Sequence, residues 1–276
     1  MAESGGGTSE TVLFTRDGAV ATLTINRPER RNALSTSVIA GLRAGLAEIA
    51  ADESLRAVVL TGAGDKAFCA GADLVGSSPA GAGAGGPAAS SDVAVHHAAR
   101  GELGRLMEDL WDLGKPSIAR VRGYALAGGM GLALACDLVV AADDAVFGTP
   151  EIDIGIWPFM ITVPLIRAMP PKRALELMLT GRRVGAEEAE RIGFVSRVVP
   201  ADQLDAAVDE LARSLAAKPP GAMRLGRESF YTALDLGTRE ALRYLHPLLS
   251  VAITTDEAAE GRAAFAERRP PRWASG

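Results

Sequence analysis

Residues 123–131 of this 276-residue chain read Gly-Tyr-Ala-Leu-Ala-Gly-Gly-Met-Gly. Together with the segments that flank them, they indicate the fold. A β-prone run, Ser117–Val121, precedes this segment, and the apolar run Gly129–Ala135 follows it. The segment therefore joins a strand to the amino terminus of a helix, where backbone N–H groups point outward and favour negative charge. Because its side chains are small, a ligand can reach those groups. We predict a turn that stabilises a developing anion.

Strands alternate with helices over the first two thirds of the chain. Ser35 can cap a helix whose apolar residues, from Val38 to Ile49, recur at spacings of three and four. The other predicted elements are a hairpin of Val12–Phe14 and Val20–Ile25 around Arg16-Asp17-Gly18, a strand at Ala57–Leu60, a helix at Val93–Leu113 and a strand at Leu138–Val140. This alternation is typical of an α/β sheet with crossover connections.

Beyond Pro170 the pattern becomes helical, with strand signal only near Val195–Val199. We therefore predict an α/β core over residues 11–200, a C-terminal helical segment over residues 201–276 and a frayed tail over residues 1–10. Within the core, residues 76–91 contain only Gly, Ala, Ser and Pro, which favours a mobile loop. The G-x-G-x-x-G match at Gly81–Gly86 arises from this composition and opens no apolar helix, so we reject dinucleotide binding there.

Composition excludes several classes of protein. A net charge of −5 offers no basic footprint for nucleic acid, and no apolar stretch reaches the roughly 20 residues that span a bilayer. Cys69 and Cys136 have neither metal-ligand spacing nor a paired framework, which indicates a reducing, cytoplasmic setting. His96 and His97 are adjacent on a helix and make a poor metal pair, although they follow the loop closely enough to approach a site.

Two further segments carry groups suited to catalysis. Ala67–Leu74 places small residues directly after a predicted strand, at the edge where α/β sheets open their clefts. Phe147–Asp153 sets Glu151 among apolar neighbours, which raises the pKa of a carboxyl and lets it exchange protons near neutral pH. Two turns that each supply one N–H group would form an oxyanion hole.

Three ordered motifs together resemble the crotonase (enoyl-CoA hydratase/isomerase) superfamily over most of the chain. Asn26–Leu34 is similar to the family's N-R-P-x-x-x-N-A-L element, and Phe68–Leu74 to F-x-A-G-A-D-[LI]. Gly123–Gly129 with Cys136-Asp137 is similar to G-x-A-x-G-G…C-D. The resemblance implies a crotonase-like fold of repeated ββα units with a C-terminal helical segment.

The resemblance also implies residue roles. The backbone N–H groups of Ala72 and Gly128 would polarise a thioester carbonyl and stabilise an enolate, with Glu151 as the acid/base and no metal. Coenzyme A would enter as part of the substrate, with no separate cofactor. The residues implied in its binding are Arg31, Ala33, Ala70, Asp73, Leu74 and, through an F-x-x-[KR]-R element, Phe265 and Arg268. The last two serve a neighbouring subunit in trimeric members, which implies a homotrimer or a dimer of trimers.

The chain departs from the family at the substrate pocket. Family hydratases carry a second glutamate three residues after the oxyanion glycine, where this chain has Gly131. Trp157 and Phe159 replace a glycine-rich stretch, and Phe159 stands where dienoyl-CoA isomerases of the family carry an aspartate. We therefore expect Gly131, Trp157 and Phe159 to shape the acyl pocket and dienoyl isomerisation to be absent.

Three hypotheses follow for the reaction. The first is an enoyl-CoA hydratase/isomerase-like enzyme of fatty-acyl or related thioesters, and the second is a Δ3-Δ2 enoyl-CoA isomerase that works with a single glutamate. The third, from another class, is a catalytically weak acyl-CoA-binding protein. Asp153 could supply a second carboxylate only if its segment is irregular, because on a strand it would face away from Glu151.

Overall fold

The computed structural model describes residues 11–73 and 90–275, with residues 90–100 described by their backbone alone. The predicted tail, Leu74 and residues 76–89 of the predicted loop lie outside the described residues. The strands are β1 (Val12–Asp17), β2 (Val20–Ile25), β3 (Ala57–Gly62), β4 (Ala67–Cys69), β5 (Ser117–Val121), β6 (Tyr124–Leu126), β7 (Leu138–Ala142), β8 (Val146–Gly148), β9 (Arg183–Gly185) and β10 (Arg197–Val199).

The helices include the predicted ones and one, α4, that was not predicted. They are α1 (Thr36–Ala51), α2 (Ser90–Trp111), α3 (Gly128–Ala135), α4 (Thr162–Ala168), α5 (Pro171–Thr180), α6 (Ala186–Ile192), α7 (Leu204–Ala216), α8 (Pro220–Leu234), α9 (Thr238–Ala252) and α10 (Asp256–Glu267). The predicted cap of α1 is confirmed, because the Ser35 hydroxyl accepts a hydrogen bond from the Val38 N–H. The helical character of the last third is likewise confirmed.

The strands form two sheets. The larger has the order β1-β2-β3-β5-β7-β10 and the smaller the order β4-β6-β8-β9. β1 and β2 pair antiparallel as the predicted hairpin, β8 and β9 are also antiparallel, and the other neighbours are parallel. The first repeat places both of its strands, β1 and β2, in the larger sheet, whereas in the next three one strand enters the larger sheet and the following one the smaller, before a helix returns. This confirms the predicted ββα repeat.

The smaller sheet brings the three chemistry-bearing segments to one edge. β4, β6 and β8 are consecutive parallel neighbours, so their carboxyl ends meet at the same side. The chain leaves β4 towards Ala72, leaves β6 towards Gly128 and leaves β8 towards Glu151. Three segments far apart in the sequence therefore converge because of sheet topology.

A buried ion pair attaches α8 to the core. Asp137, which follows α3, accepts hydrogen bonds from the Ser117 N–H at 2.7 Å, from Arg227 Nε at 2.8 Å and from the Tyr231 hydroxyl at 2.5 Å. Arg227 is buried and also donates to the Trp111 carbonyl. Several bonds to each charge offset the cost of burying the pair, so the Cys136-Asp137 element has a structural role here.

In the part of the chain that the structure describes, no helix is both long and apolar enough to cross a membrane.

Candidate active site

The first turn of the site lies at the amino terminus of α3. Ala127 caps this helix with φ 51° and ψ −128°, and its N–H donates to the Gly148 carbonyl at 2.9 Å. The first helical bond runs from the Gly131 N–H to the Ala127 carbonyl. Among the described residues the N–H groups of Gly128 and Gly129 therefore have no partner. They belong to the first turn of the helix, where no intrahelical carbonyl is in reach, and they follow a residue whose backbone conformation is rare outside glycine.

The second turn contains Ala72, which forms an isolated parallel bridge with Leu34. Leu34 donates its N–H to Gly71 and accepts the N–H of Asp73, so it bonds to both neighbours of Ala72. The peptide groups of Ala72 consequently point away from Leu34. Ala72 is exposed, and its N–H is available to a ligand.

The two turns touch each other. Gly71 has φ +95°, and a Cβ added there would lie 2.6 Å from the Ala127 Cβ and 3.4 Å from the Gly128 nitrogen. A Cβ added at Gly129 would lie 2.1 Å from the carbonyl oxygen of Cys69, at the end of β4. Only glycine permits this approach. The structure thus brings Ala72 and Gly128, the two predicted N–H donors, to adjoining turns.

Two polar residues that our sequence reasoning gave no role hold the Ala72 turn. Asn32 is fully buried, accepts the Arg27 N–H and donates through Nδ2 to the carbonyls of Ala63 and Ala67. Arg27 donates to the Ala33 carbonyl at 2.9 Å and to Asp73 Oδ2 at 2.8 Å. These bonds tie the Asn26–Leu34 motif to the strand that leads into the turn. The pairing of an asparagine and an arginine inside that motif was the available signal.

Glu151 lies three residues beyond β8, in a 3-10 helix spanning Pro150–Ile154. Its Oε2 atom is buried and lacks a hydrogen-bond partner, and it is the one such side-chain oxygen or nitrogen where side chains are described, residues 11–73 and 101–274. Burial raises the pKa of Glu151, and a hydrogen bond from its own backbone N–H works in the opposite direction. The predicted upward shift in pKa is confirmed. A carboxyl with a raised pKa and a buried oxygen that lacks a hydrogen-bond partner suits proton exchange with a ligand.

The other carboxylate of this segment points elsewhere. The segment is irregular, not a strand, yet Asp153 is exposed and its carboxylate oxygens lie 3.1 Å from the Cβ position of Gly181, at the end of α5. Trp157 is half-buried and packs against the main core, whereas Phe159 is 73% exposed. Of the three residues expected to shape the pocket, Phe159 therefore extends into solvent.

Ile161, to which the sequence reasoning gave no role, lies against Gly131. A Cβ added to Gly131 would lie 2.2 Å from Ile161 Cγ2 and 3.1 Å from Met107 Cε. Ile161 is buried and precedes the first residue of α4. No spacing rule distinguishes this isoleucine from other core residues, because its importance depends on the absence of a side chain on a different element.

The residues expected to bind coenzyme A separate into two groups. Arg31, exposed with φ 51°, accepts the Ala70 N–H through its carbonyl, and buried Ala33 lies on the same turn. Phe265 is 88% exposed near the end of α10, and Arg268 is the exposed residue that ends this helix.

Over the described ranges no three His, Cys, Asp or Glu side chains group as a metal site requires.

Comparisons with known proteins identify the family of the chain. Residues 15–276 match the family described as enoyl-CoA hydratase/isomerase. A probable enoyl-CoA hydratase of Mycobacterium bovis is 37% identical over 267 residues, covering 96% of this chain and 98% of that protein. A carnitinyl-CoA dehydratase of Escherichia coli is 37% identical over 272 residues, which cover 96% of this chain and 98% of that protein. The crystal structure of an enoyl-CoA hydratase from Mycobacterium smegmatis superposes with a TM-score of 0.87 at 35% identity, covering 95% of this chain and 98% of that one. This chain belongs to the enoyl-CoA hydratase/isomerase family.

Proposed function

We propose that the chain acts on acyl-CoA thioesters through an enolate, with Glu151 as the acid/base. The observation that carries the proposal is the buried Glu151 Oε2 without a partner, on a carboxyl whose pKa burial raises. Because burial disfavours the charged form, the carboxylate is a stronger base than in water and readily takes a proton from a donor that arrives with the ligand. An acidic carbon next to a thioester carbonyl supplies one.

The N–H groups of Ala72 and Gly128 supply the electrostatic half of the reaction. They donate to the thioester oxygen, and each bond strengthens as negative charge develops on that oxygen. Mutational studies of such donors give roughly 2.7–4 kcal/mol for each. The donors are backbone groups of turns in van der Waals contact, so they need little reorganisation during the reaction.

For the substrate we propose a fatty-acyl or related acyl-CoA, in the cytoplasm. Relatives named enoyl-CoA hydratase and carnitinyl-CoA dehydratase both carry coenzyme A in their names. The exposed Arg31 beside the Ala72 turn offers a cation to the phosphates of coenzyme A, and Ala70 and Asp73 line the same turn. Coenzyme A remains part of the substrate.

A homotrimer, or a dimer of trimers, completes the proposal. Within the described residues α9 buries none of its side chains, although it is strongly amphipathic. Its exposed apolar residues are Leu242, Leu249 and Val251, with Ile253 directly after it and Phe265 on α10. A second copy of this chain would cover them and bring Phe265 and Arg268 to the neighbouring coenzyme A.

A second candidate, a Δ3-Δ2 isomerase that uses a single glutamate, is favoured by the contact between Gly131 and Ile161. This contact leaves no space for a carboxylate on α3. Deprotonation at one carbon and reprotonation at another can both be performed by Glu151, because the enolate persists between the two steps.

The decisive experiment uses crotonyl-CoA and a 3-enoyl-CoA with the purified protein. Loss or gain of the conjugated enoyl absorbance reports hydration or isomerisation. We expect Glu151→Gln to abolish turnover while binding is retained, and Asp153→Asn, the matched change two residues on, to leave turnover unaltered. In the wild type, kcat/KM should fall with decreasing pH through the raised pKa of Glu151, since the carboxylate form takes the proton.

Binding of both thioesters without turnover by the wild type would favour the weak-binder hypothesis instead. Turnover that survives Glu151→Gln would remove this residue from the mechanism.

A further inference from the structure

The volume above Gly131 is occupied by one apolar side chain. A Cβ on Gly131 would lie 2.2 Å from Ile161 Cγ2 and 2.7 Å from Ile161 Cβ, well inside van der Waals contact. Met107 Cε lies 3.1 Å from the same Cβ position. Any side chain at position 131 therefore displaces Ile161, which is 2% exposed.

Ile161 is held firmly in this place. The Thr162 N–H and hydroxyl both donate to the Pro158 carbonyl, and the Leu165 N–H donates to the Ile161 carbonyl. The preceding residue, Met160, packs against α2: its Cε lies 2.6 Å from the position that a Cβ of Gly104 would take. The turn between Trp157 and α4 is thus anchored on α2 as well as on α3.

The described side chains that lie nearest the Gly128 turn on this side are apolar. A Cβ added at Gly128 would meet Leu34 Cδ1 and Leu103 Cδ2, both at 3.3 Å. Together with Ile161 and Met107, these side chains offer no group that could hold or ionise a water molecule. Glu151 supplies the one buried unpartnered carboxylate oxygen in the described part of the chain.

We propose that Ile161 determines the reaction of this site, by excluding a second carboxylate and its water so that Glu151 relocates a proton within a 3-enoyl-CoA. The inference rests on the function proposed above and deepens it. Glu151 takes a proton from C2, and the electrons of that C–H bond pass into the dienolate whose oxygen the N–H groups hold. The same carboxyl then returns the proton to C4. The C3=C4 π bond is lost, C2=C3 forms, and no water is consumed.

The test is a double-mutant cycle between Gly131→Glu and Ile161→Ala. Gly131→Glu alone should lower Tm by roughly 3–10 °C, because the new side chain overlaps Ile161. In Gly131→Glu/Ile161→Ala the glutamate enters the vacated space, so Tm should exceed the value that the two single changes predict by addition. Val163→Ala, at an exposed position two residues further on in α4, is the matched control and should show no such coupling.

Activity provides the readout that packing alone would not change. The wild type should isomerise the 3-enoyl-CoA at least 10-fold faster than it hydrates crotonyl-CoA, and the double variant should raise the ratio of hydration to isomerisation at least 10-fold. Additive Tm changes would overturn the proposal. Coupled Tm changes without any gain in hydration would also overturn it, since Ile161 would then only pack. A wild type inactive on both thioesters refutes the proposed function itself, whereas an active wild type with a failed cycle refutes only the role of Ile161.

Discussion

At the scale of single residues, backbone conformation marks the site as clearly as side-chain chemistry does. Ala127 has φ 51° without being glycine, and Gly71 has φ +95° directly against it. A strained residue of this kind costs about 1–3 kcal/mol and persists only where its surroundings fix it. We expect the conformation of Ala127, together with the close approach of Gly71, to orient the N–H groups of Gly128 and Ala72.

Gly71→Ala tests this orientation. The added methyl group would lie 2.6 Å from the Ala127 Cβ and would require a left-handed backbone, so the two turns must separate. We expect kcat to fall on the order of 100-fold with a smaller change in KM, as for loss of an oxyanion donor. Steady-state kinetics on the 3-enoyl-CoA measures this.

The matched control is Gly226→Ala, since a Cβ at Gly226 in α8 meets nothing within 4 Å. It should preserve kcat and slightly raise Tm, because alanine favours helix more than glycine does. Equal kinetic effects of the two changes would contradict the role of the turn contact.

The sequence predicted the polar atoms of the site better than its apolar wall. Glu151 was identifiable because a carboxyl among apolar residues has few explanations, and its raised pKa bears this out. Ile161 was not identifiable, since one more buried isoleucine near a helix start carries no signal. Only the distance from Gly131 reveals its significance.

At the scale of elements, local sequence patterns predicted the longer elements, which have enough residues to show a period or a cap. The hairpin of β1 and β2, the Ser35 cap of α1 and the strand β5 match their predictions. The strands of the smaller sheet, β4, β6, β8 and β9, were not predicted, because each has only three residues and depends on pairing with strands far away in the sequence. The 3-10 helix that carries Glu151 could likewise not be predicted from sequence periodicity, since one short turn has too few residues to show a pattern.

The end of α10 contains an acid-sensitive cluster. Glu260, whose side chain is 8% exposed, accepts hydrogen bonds from Arg269 Nη1 at 2.6 Å and from the N–H and Nε of Arg272. The hydrogen bond from Arg269 and those from Arg272 lower the pKa of Glu260 to about 2 from an ordinary value of 4.5. A lowered folded-state pKa stabilises the protein above the unfolded-state value, and this stability is lost as pH falls towards 2.

Glu260→Gln should therefore lower Tm near pH 7, and its deficit relative to the wild type should shrink between about pH 4.5 and 2. Thermal unfolding by circular dichroism over that range measures it. Glu267→Gln is the matched control, because Glu267 also pairs with Arg269 but its side chain is 60% exposed. A deficit independent of pH would show that packing, and not charge, accounts for the effect.

At the scale of the whole molecule, the exposed apolar side chains of α9 indicate association. Leu242 is 65% exposed and Leu249 is 62% exposed, and the two lie seven residues apart on one helix face. Contiguous apolar surface of this kind usually marks an interaction site. The proposed homotrimer covers it with a second copy of the chain.

The mass in solution tests that assembly. Three copies of the 28.6 kDa chain give about 86 kDa, and light scattering after size exclusion should report this value or its double. Leu249→Asp should reduce the mass by placing a charge in the interface, whereas Ala40→Asp, at an exposed position of α1, should not. A wild type of 28.6 kDa at every concentration would exclude the trimer.

The contact between Gly131 and Ile161 also restricts how descendants of this chain can change. A substitution at position 131 collides with Ile161 at 2.2 Å, so it arrives in a destabilised protein and is removed by selection before it can add chemistry. Trimming Ile161 first leaves a cavity with no immediate benefit. The two substitutions are therefore epistatic, and the order in which they arise decides whether a mutational path to a second carboxylate is open.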